Sequence, residues 1–156
     1  MNVKILGAFA AVALLAACSD NTAKTSGSGA TATGSGIVPG SQEDLVANVG
    51  DRVFYDFNKS GLKTDGKATL DRQAAWLAKY AQNNVQVAGN CDERGTEEYN
   101  IALGQRRAAA ARDYLVAKGV ASTRVTTISY GKDRPTALGS NEAAWAQNRN
   151  AITSVR

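Results

Sequence analysis

Four short segments of the chain have the residue pattern of β-strands. Each is rich in β-branched and aromatic residues or alternates apolar with polar residues, as expected for a strand with one buried face. The segments are 52–57 (RVFYDF), 84–89 (NVQVAG), 124–131 (RVTTISYG) and 150–156 (NAITSVR). The pattern therefore predicts a sheet of four strands.

Apolar residues at helical spacing lie between the first two predicted strands. Leu70, Ala74, Leu77 and Ala81 fall on one face of a helix, and Thr64 is the expected N-cap. This helix would bury one apolar stripe against the sheet.

A longer helix is predicted from Thr96 to Lys118. Thr96 is a suitable N-cap, and Glu97 and Glu98 place negative charge where the helix dipole favours it. Gly119 follows directly and suits a C-terminal cap. This helix has clear signals at both ends.

Two shorter helices complete the predicted elements. Ser41 and Asp44 have the spacing of a capping box, and a second short helix is expected from Ser140 to Asn148, where Trp145 would pack. The order β-α-β-α-β, followed by α-β, predicts an α/β fold (an α+β sandwich) with helices packed on one face of a mixed sheet.

The N-terminus has the pattern of a secretory signal. Lys4 precedes a thirteen-residue apolar run, 5–17, whereas a membrane-spanning helix needs about 20 residues. The run ends in LAAC at Cys18, which resembles the lipobox of bacterial lipoproteins. That resemblance implies cleavage before Cys18 and lipid attachment to it, while a plain signal peptide is the alternative. Ser19, directly after the cysteine, then favours the outer membrane.

Lipidation also bears on the second cysteine. A Cys18–Cys91 disulfide is the expectation for two cysteines in an exported chain, but a lipidated Cys18 leaves Cys91 alone as a small side chain at a strand end. Residues 19–40 are Ser-, Thr-, Gly- and Ala-rich and predict a flexible linker. The predicted organisation is a signal peptide over 1–17, a lipidated cysteine with linker over 18–40, and a folded domain over 41–156.

Composition excludes several classes of function. The 156 residues are 44% hydrophobic and 21% charged, and the net charge of +4 is spread without a basic stripe, so we expect no nucleic-acid partner. The chain contains no histidine, which weakens any nucleophilic or metal-dependent mechanism. We therefore expect no cofactor and no metal.

The densest charge lies in GNCDERGTEEYN, residues 89–100, at the end of a predicted strand. It could serve as an acid–base centre, a binding site for a charged ligand, or a solvated loop. Arg107 follows on a semi-apolar stripe of the long helix, two turns beyond Asn100, and Asp92 can face both. The alternative for Arg107 is a snorkelling side chain paired with a local carboxylate.

Residues 89–108, GNCDERGTEEYNIALGQRRA, resemble the OmpA-like domain family, and most closely its peptidoglycan-associated lipoproteins. The flanking VFYDFNKSGL and SYGKDRPTALGSNEAAWAQNRNA also fit, so the resemblance covers 50–155. The matching positions are Asp92, Glu93, Arg94, Gly95, Thr96, Glu98, Tyr99, Asn100, Leu103, Gly104, Arg106, Arg107 and Ala108.

Two positions depart from the family pattern. Asn90 stands where the family has a histidine, and Asn150 follows Arg149 where the family has paired arginines. Asn90 cannot be protonated, and Asn150 puts a second cationic contact or structural ion pair in doubt.

The resemblance implies non-covalent binding of peptidoglycan through the meso-diaminopimelate of its stem peptide. Asp92 would take the ammonium and Arg107 the carboxylate, for which a planar guanidinium is suited. The expected ligand-binding residues are Asp92, Arg107, Asn100, Asp56, Thr96 and Leu103.

The same resemblance implies a place in the cell envelope. The domain would face the periplasm, be held to the outer-membrane lipid through Cys18, and serve envelope integrity and cell division in the Tol-Pal system. TolB and other Tol proteins would be partners, and TolB would compete with peptidoglycan. The alternative is a wall hydrolase that uses Asp92 with Glu93 or Glu98, although neighbouring residues on a strand face opposite sides.

Several residues near this stretch have two open interpretations. Glu93 and Arg94 either touch ligand or form a solvated or mutual pair. Asp56 either lines the site or caps a turn, and Tyr55 and Phe57 are expected to divide between core and groove.

Overall fold

The computed structural model describes residues 36–156. The predicted signal peptide, Cys18 and most of the predicted linker lie outside the described residues. The folded contacts begin before Ser41, since the Ser41 amide donates to the Val38 carbonyl at 3.1 Å and Asn83 donates to the Gly40 carbonyl at 2.7 Å. Within 36–156, no helix combines the length and apolar composition needed to cross a membrane.

Four strands form one mixed sheet, which confirms the predicted class. They are β1 (Arg52–Phe54), β2 (Val85–Asn90), β3 (Val125–Gly131) and β4 (Asn150–Val155). The order is β1-β4-β2-β3, with β4 antiparallel to β1 and β2, and β2 parallel to β3. The start of β4 therefore lies beside the end of β2.

The first strand is shorter than predicted. It ends at Phe54, and the chain then turns, with the Lys59 amide donating to the Asp56 carbonyl at 3.1 Å. Asn58, within this turn, has a φ of 56°, in the left-handed region that residues other than glycine seldom adopt. This turn lies beside the candidate site.

Four α-helices accompany the sheet within the part of the chain that the structure describes. They are α1 (Gln42–Asp44), which continues as a π-helical turn over Leu45–Val49, α2 (Thr64–Lys79), α3 (Glu97–Ala117) and α4 (Glu142–Asn148). A 3-10 turn, Ser122–Arg124, precedes β3. Helices α2 and α3 pack on one face of the sheet, as predicted.

The caps of α1 and α3 are as predicted. The Ser41 hydroxyl accepts from the Asp44 amide at 3.2 Å, and the Thr96 hydroxyl accepts from the Tyr99 amide at 3.3 Å. Gly119, just beyond α3, has a φ of 98°, which glycine adopts without strain.

Three details of the other helices were wrongly predicted. Thr64 is not the N-cap of α2, because Lys63 is the last extended residue and Thr64 is already helical. The helix ends at Lys79, so Ala81 lies beyond it and is exposed. Asn141, not Ser140, caps α4, and its carboxamide accepts from the Ala144 amide at 3.0 Å.

The core lies between the sheet and the two long helices. Its buried residues include Leu45, Val53, Leu70, Leu77, Val85, Val87, Ala108, Ala111, Leu115 and Val125. Their burial supplies the main driving force for folding, since apolar area removed from water stabilises by about 25 cal/mol per Å². Tyr55 joins this core, and its hydroxyl donates to the Arg107 carbonyl at 2.8 Å.

Two glycines let α3 approach β2 closely. A Cβ placed on Gly89 would lie 1.8 Å from the Gly104 carbonyl oxygen, and one placed on Gly104 would lie 2.3 Å from Ser129 Oγ. No larger residue fits at either position without moving the helix. The contact fixes the part of α3 that carries Arg107.

Candidate ligand-binding site

A cavity of about 150 Å³ opens where β2 ends and α3 begins. Its lining residues come from the turn after β1, the loop after β2 and the first turns of α3. They are Phe57, Asn58, Cys91, Asp92, Arg94, Gly95, Tyr99, Asn100, Leu103 and Arg107. The structure thus brings four of the expected ligand-binding residues, Asp92, Asn100, Leu103 and Arg107, to one cavity.

Asp92 is a buried carboxylate that two arginines hold. Its Oδ1 accepts from the amide and Nε of Arg94, both at 3.2 Å, and its Oδ2 accepts from Arg94 Nη2 at 2.7 Å and Arg149 Nη1 at 3.3 Å. Burial by itself raises the pKa of Asp92, but the hydrogen bonds from Arg94, with a smaller one from Arg149, outweigh it and lower the pKa. The carboxylate is therefore ionised at neutral pH.

Arg107 is fully buried and bound to main-chain carbonyls. Its Nε donates to the Lys59 carbonyl at 2.8 Å, Nη1 to the Asn90 carbonyl at 2.8 Å, and Nη2 to the Asp56 carbonyl at 3.1 Å. Burial disfavours the charged form and lowers the pKa of Arg107.

The alternative proposed for Arg107, a snorkelling side chain paired with a carboxylate, is wrong. Its exposed fraction is 0%, and its partners within residues 36–156 are carbonyl oxygens rather than carboxylates. The guanidinium instead ties the turn after β1 to the end of β2.

Arg94 lies at the mouth of the cavity between two aromatic rings. Its guanidinium carbon is 4.0 Å from the centroid of Phe57 and 4.1 Å from that of Trp145. Its side chain is 32% exposed, and Nη1 lies 4.0 Å from a carboxylate oxygen of Glu142. Such stacking holds a guanidinium flat without neutralising it.

Arg149 is a buried partner of Asp92. Its Nε donates to the Tyr55 carbonyl at 3.2 Å, and its Nη2 donates to Glu142 at 2.7 Å. Sequence reasoning did not assign Arg149 to the site. The contact follows from the strand pairing, because Arg149 directly precedes β4 and the start of β4 lies beside the end of the antiparallel β2.

The other expected residues have structural partners of their own. Asn100 is buried and donates to the carbonyls of Arg94 at 2.8 Å and Thr96 at 3.1 Å, which fixes the loop before α3. Leu103 forms an apolar wall of the cavity, while Thr96 caps the helix. The exposed Asp56 carboxylate lies 3.7 Å from Lys63 Nζ, so Asp56 contacts the site through its carbonyl.

The structure shows the protein contacts of the residues whose interpretation was open. Tyr55 is buried and Phe57 is 56% exposed, so the two divide between core and groove as expected. Glu93 and Arg94 do not pair with each other, because Glu93 accepts from Trp145 Nε1 at 3.0 Å while Arg94 pairs with Asp92.

Cys91 is a buried free thiol, 3% exposed, that donates to the Asn100 carbonyl at 3.4 Å. Burial is the main cause that raises the pKa of Cys91, so the thiol is protonated at neutral pH.

Comparison with known proteins agrees with this architecture. The OmpA family matches residues 54–149. The peptidoglycan-associated lipoprotein of Mesorhizobium japonicum is 47% identical over 152 residues, which cover 97% of this chain and 90% of that protein. The chain belongs to the OmpA family and, within it, to the peptidoglycan-associated lipoproteins.

Two further relatives and one more distant solved structure are also similar. The peptidoglycan-associated lipoprotein of Rhizobium meliloti is 56% identical over 115 residues, or 74% of this chain and 65% of that protein. The crystal structure of the Burkholderia pseudomallei peptidoglycan-associated lipoprotein superposes with a TM-score of 0.68 at 38% identity, covering 72% of this chain and 100% of that one. The C-terminal domain of Helicobacter pylori MotB shares the fold, with a TM-score of 0.64 at 18% identity.

The two departures from the OmpA-family pattern contact each other. Asn90 Nδ2 donates to Asn150 Oδ1 at 2.8 Å, and both residues are buried. Asn150 in turn donates to the Gln147 carbonyl at 2.6 Å. The loss of the second arginine at Asn150 had put a cationic contact in doubt. Arg149 makes such a contact, with the carboxylate of Asp92.

The cavity brings together side chains of both charges. One carboxylate, Asp92, and two guanidiniums, from Arg94 and Arg107, line the cavity, and the third, from Arg149, contacts Asp92. A zwitterion would find both of its charges matched within this space. Across the residues that the structure describes, no group of three or more metal-binding side chains is present.

Proposed function

We propose that this protein binds peptidoglycan non-covalently through the meso-diaminopimelate of its stem peptide, and so tethers the outer membrane to the cell wall. The observation that carries the proposal is that Asp92 and Arg107, which lie fifteen positions apart in the sequence, line one cavity at the start of α3. The relatives from Rhizobium meliloti and Mesorhizobium japonicum are named peptidoglycan-associated lipoproteins, which supports peptidoglycan as the ligand.

The chemistry of the cavity suits an amino-acid terminus. Asp92 offers an ionised carboxylate to an ammonium group. A guanidinium has five N–H donors, of which Arg107 uses three on protein carbonyls, so two remain for a ligand carboxylate. Leu103 and Phe57 supply apolar walls for the methylene groups between the charged ends.

The same cavity is poorly built for hydrolysis. A glycosidase needs two carboxylates facing one bond. Among the described residues that line the cavity, Asp92 is the one carboxylate, and Glu93 instead accepts from the Trp145 indole. The lining therefore supports binding over catalysis.

We further propose that the chain is an outer-membrane lipoprotein facing the periplasm, anchored through Cys18 after removal of residues 1–17. In this proposal the chain between Cys18 and the folded contacts at Val38 acts as a flexible linker, with a root-mean-square reach of roughly 25 Å and a fully extended length of about 65 Å. That length lets the domain search the wall while the lipid stays in the membrane.

In this proposal the protein acts with TolB and the other Tol proteins in envelope integrity and cell division. TolB and peptidoglycan compete for the surface around Asp92. Adding TolB should therefore release the protein from isolated cell wall, and the released fraction should rise with the TolB concentration. A ternary complex with undiminished wall binding would contradict this part of the proposal.

The central test is co-sedimentation with diaminopimelate-type and lysine-type peptidoglycan. Wild type should sediment with the first and much less with the second.

Asp92→Asn keeps the shape but removes the charge, and should weaken binding by about 2–5 kcal/mol. Arg112→Gln, on α3 outside the cavity, is the matched control. Equal sedimentation of wild type and Asp92→Asn would show that the ligand does not bind at Asp92. Release of muropeptides into the supernatant would indicate an enzyme.

A further inference from the structure

Every acceptor position of Asp92 is already occupied. A carboxylate has about four lone-pair sites. Arg94 fills three of them, through its amide, Nε and Nη2, and Arg149 fills the fourth. A ligand ammonium can bind this carboxylate only if it displaces one of these donors.

Arg94 is the donor that can leave. Arg149 is 7% exposed and is also held by the Tyr55 carbonyl and by Glu142. Arg94 lies at the mouth of the cavity, and among residues 36–156 its guanidinium makes hydrogen bonds to Asp92 alone. The two aromatic rings beside it, Phe57 and Trp145, allow the guanidinium to slide while it remains stacked.

We propose that Arg94 is a specificity-determining residue, whose guanidinium occupies the position of the ligand ammonium in the free protein and must be displaced for binding. This inference rests on the proposed function, because it concerns the same cavity. It makes Arg94 a competitor of the ligand for Asp92.

The competition selects for ligands that carry both charges. A ligand amine that displaces Arg94 gains contact with Asp92 but leaves the guanidinium without its anion. A carboxylate on the same carbon as the amine supplies a new anion for the displaced Arg94 and for the unused N–H donors of Arg107. Meso-diaminopimelate offers this pair at its free end, whereas a lysine side chain offers only the ammonium.

Glu142 is the protein group that could otherwise receive the displaced guanidinium. Its carboxylate is already bound to Arg149 at 2.7 Å, and it lies 4.0 Å from Arg94 Nη1. It is also largely exposed, so its interaction with Arg94 is screened by solvent. Glu142 therefore replaces only part of the stabilisation that Arg94 loses when it leaves Asp92. The ligand carboxylate must provide the remaining stabilisation.

The experiment measures dissociation constants of soluble muropeptides for the full chain by calorimetry. The probes are a muropeptide with meso-diaminopimelate and one with lysine at the same position. Arg94→Gln removes the competing charge. We expect it to raise affinity for the lysine muropeptide about tenfold, the equivalent of one hydrogen bond to a charged group, and to change affinity for the diaminopimelate muropeptide less. The ratio of the two constants should fall accordingly.

Two further variants keep the result interpretable. Arg94→Lys retains the charge but reaches fewer acceptors of Asp92, so its ratio should lie between those of wild type and Arg94→Gln. Arg112→Gln should leave the ratio unchanged. Thermal unfolding of each variant verifies that the domain remains folded.

Two results would overturn the inference. Weaker binding of both muropeptides by Arg94→Gln would make Arg94 an ordinary ligand contact, and an unchanged ratio would remove its role in selection. Failure of the proposed function has a different signature, since Asp92→Asn would then bind the diaminopimelate muropeptide as wild type does.

Discussion

Asn90 and Asn150 form a buried side-chain hydrogen bond of 2.8 Å across the end of β2 and the start of β4. These are the two positions at which the chain departs from the family pattern, so the departures are one contact rather than two separate losses. The Asn90 carbonyl also accepts from Arg107 at 2.8 Å. The amide pair therefore adjoins one of the hydrogen bonds that hold Arg107.

This contact predicts energetic coupling between the two asparagines. Asn90→Ala and Asn150→Ala should each destabilise the protein, and the double variant should cost less than the sum by about 0.5–1.5 kcal/mol, because the second change removes no further bond. Urea unfolding of the four proteins in the cycle measures this coupling. Pairing Asn90→Ala with Asn84→Ala, at an exposed residue, should give additive costs. Additivity in the first cycle would contradict the prediction.

Arg107 is predicted to be as important for stability as for binding. Arg107→Lys keeps the charge, but one ammonium cannot reach the carbonyls of Lys59, Asn90 and Asp56 together. Two of these acceptors, whose bonds to Arg107 are buried or partly buried, then lose a partner, so we expect a loss of about 2–4 kcal/mol in the free energy of unfolding. Chemical denaturation provides the measurement. Arg106→Lys, at the exposed neighbour, should change stability by less than about 0.5 kcal/mol.

The close approach of α3 to β2 predicts a strong effect of one methyl group. In Gly104→Ala the new Cβ would lie 2.3 Å from Ser129 Oγ and 2.8 Å from the Gly89 carbonyl, so the helix must shift. We expect a cost of about 2 kcal/mol or more. Gly61→Ala is the matched control, because its Cβ meets nothing within 4 Å. Equal melting temperatures for the two variants would show that α3 does not pack as described.

The hydrogen bonds that Asp44 accepts predict a loss of stability in acid. Hydrogen bonds from Asn48 at 2.7 Å, the Gly40 amide at 2.8 Å and Trp76 Nε1 at 2.8 Å lower the pKa of Asp44 from 3.8 to about 2. Because the folded pKa is the lower one, the stabilisation is complete above about pH 4 and is lost as the pH falls towards 2.

Urea midpoints measured between pH 2 and 6 test this expectation. Asp44→Asn should flatten the curve in that window. Trp76→Phe removes one donor and raises the folded pKa of Asp44 towards its unfolded value, so the loss of stability in acid should become smaller and end at a higher pH. An unchanged profile in Asp44→Asn would assign the acid sensitivity to other carboxylates.

Local features of the sequence determined most of the elements. The alternation in 84–89 and 150–156 predicted β2 and β4, and Thr96 and Gly119 marked the ends of α3. These features depend on residues within one or two turns of each other, so periodicity and capping chemistry are sufficient. Thr64 was the wrong cap because the helix begins one residue earlier than expected. Lys63 is the last residue with extended backbone, and Thr64 is already helical.

The tertiary structure alone decided which groups meet in the site. The sequence selected Asp92 and Arg107 through a family resemblance, but not their partners. Asp92 bonds to Arg149, 57 positions away, and Arg107 bonds to the Asp56 carbonyl, 51 positions away. Such contacts depend on the strand order β1-β4-β2-β3, which places the start of β4 and the turn after β1 beside the end of β2. Local patterns carry no information about that order, because it is set by how the whole chain buries its apolar surface.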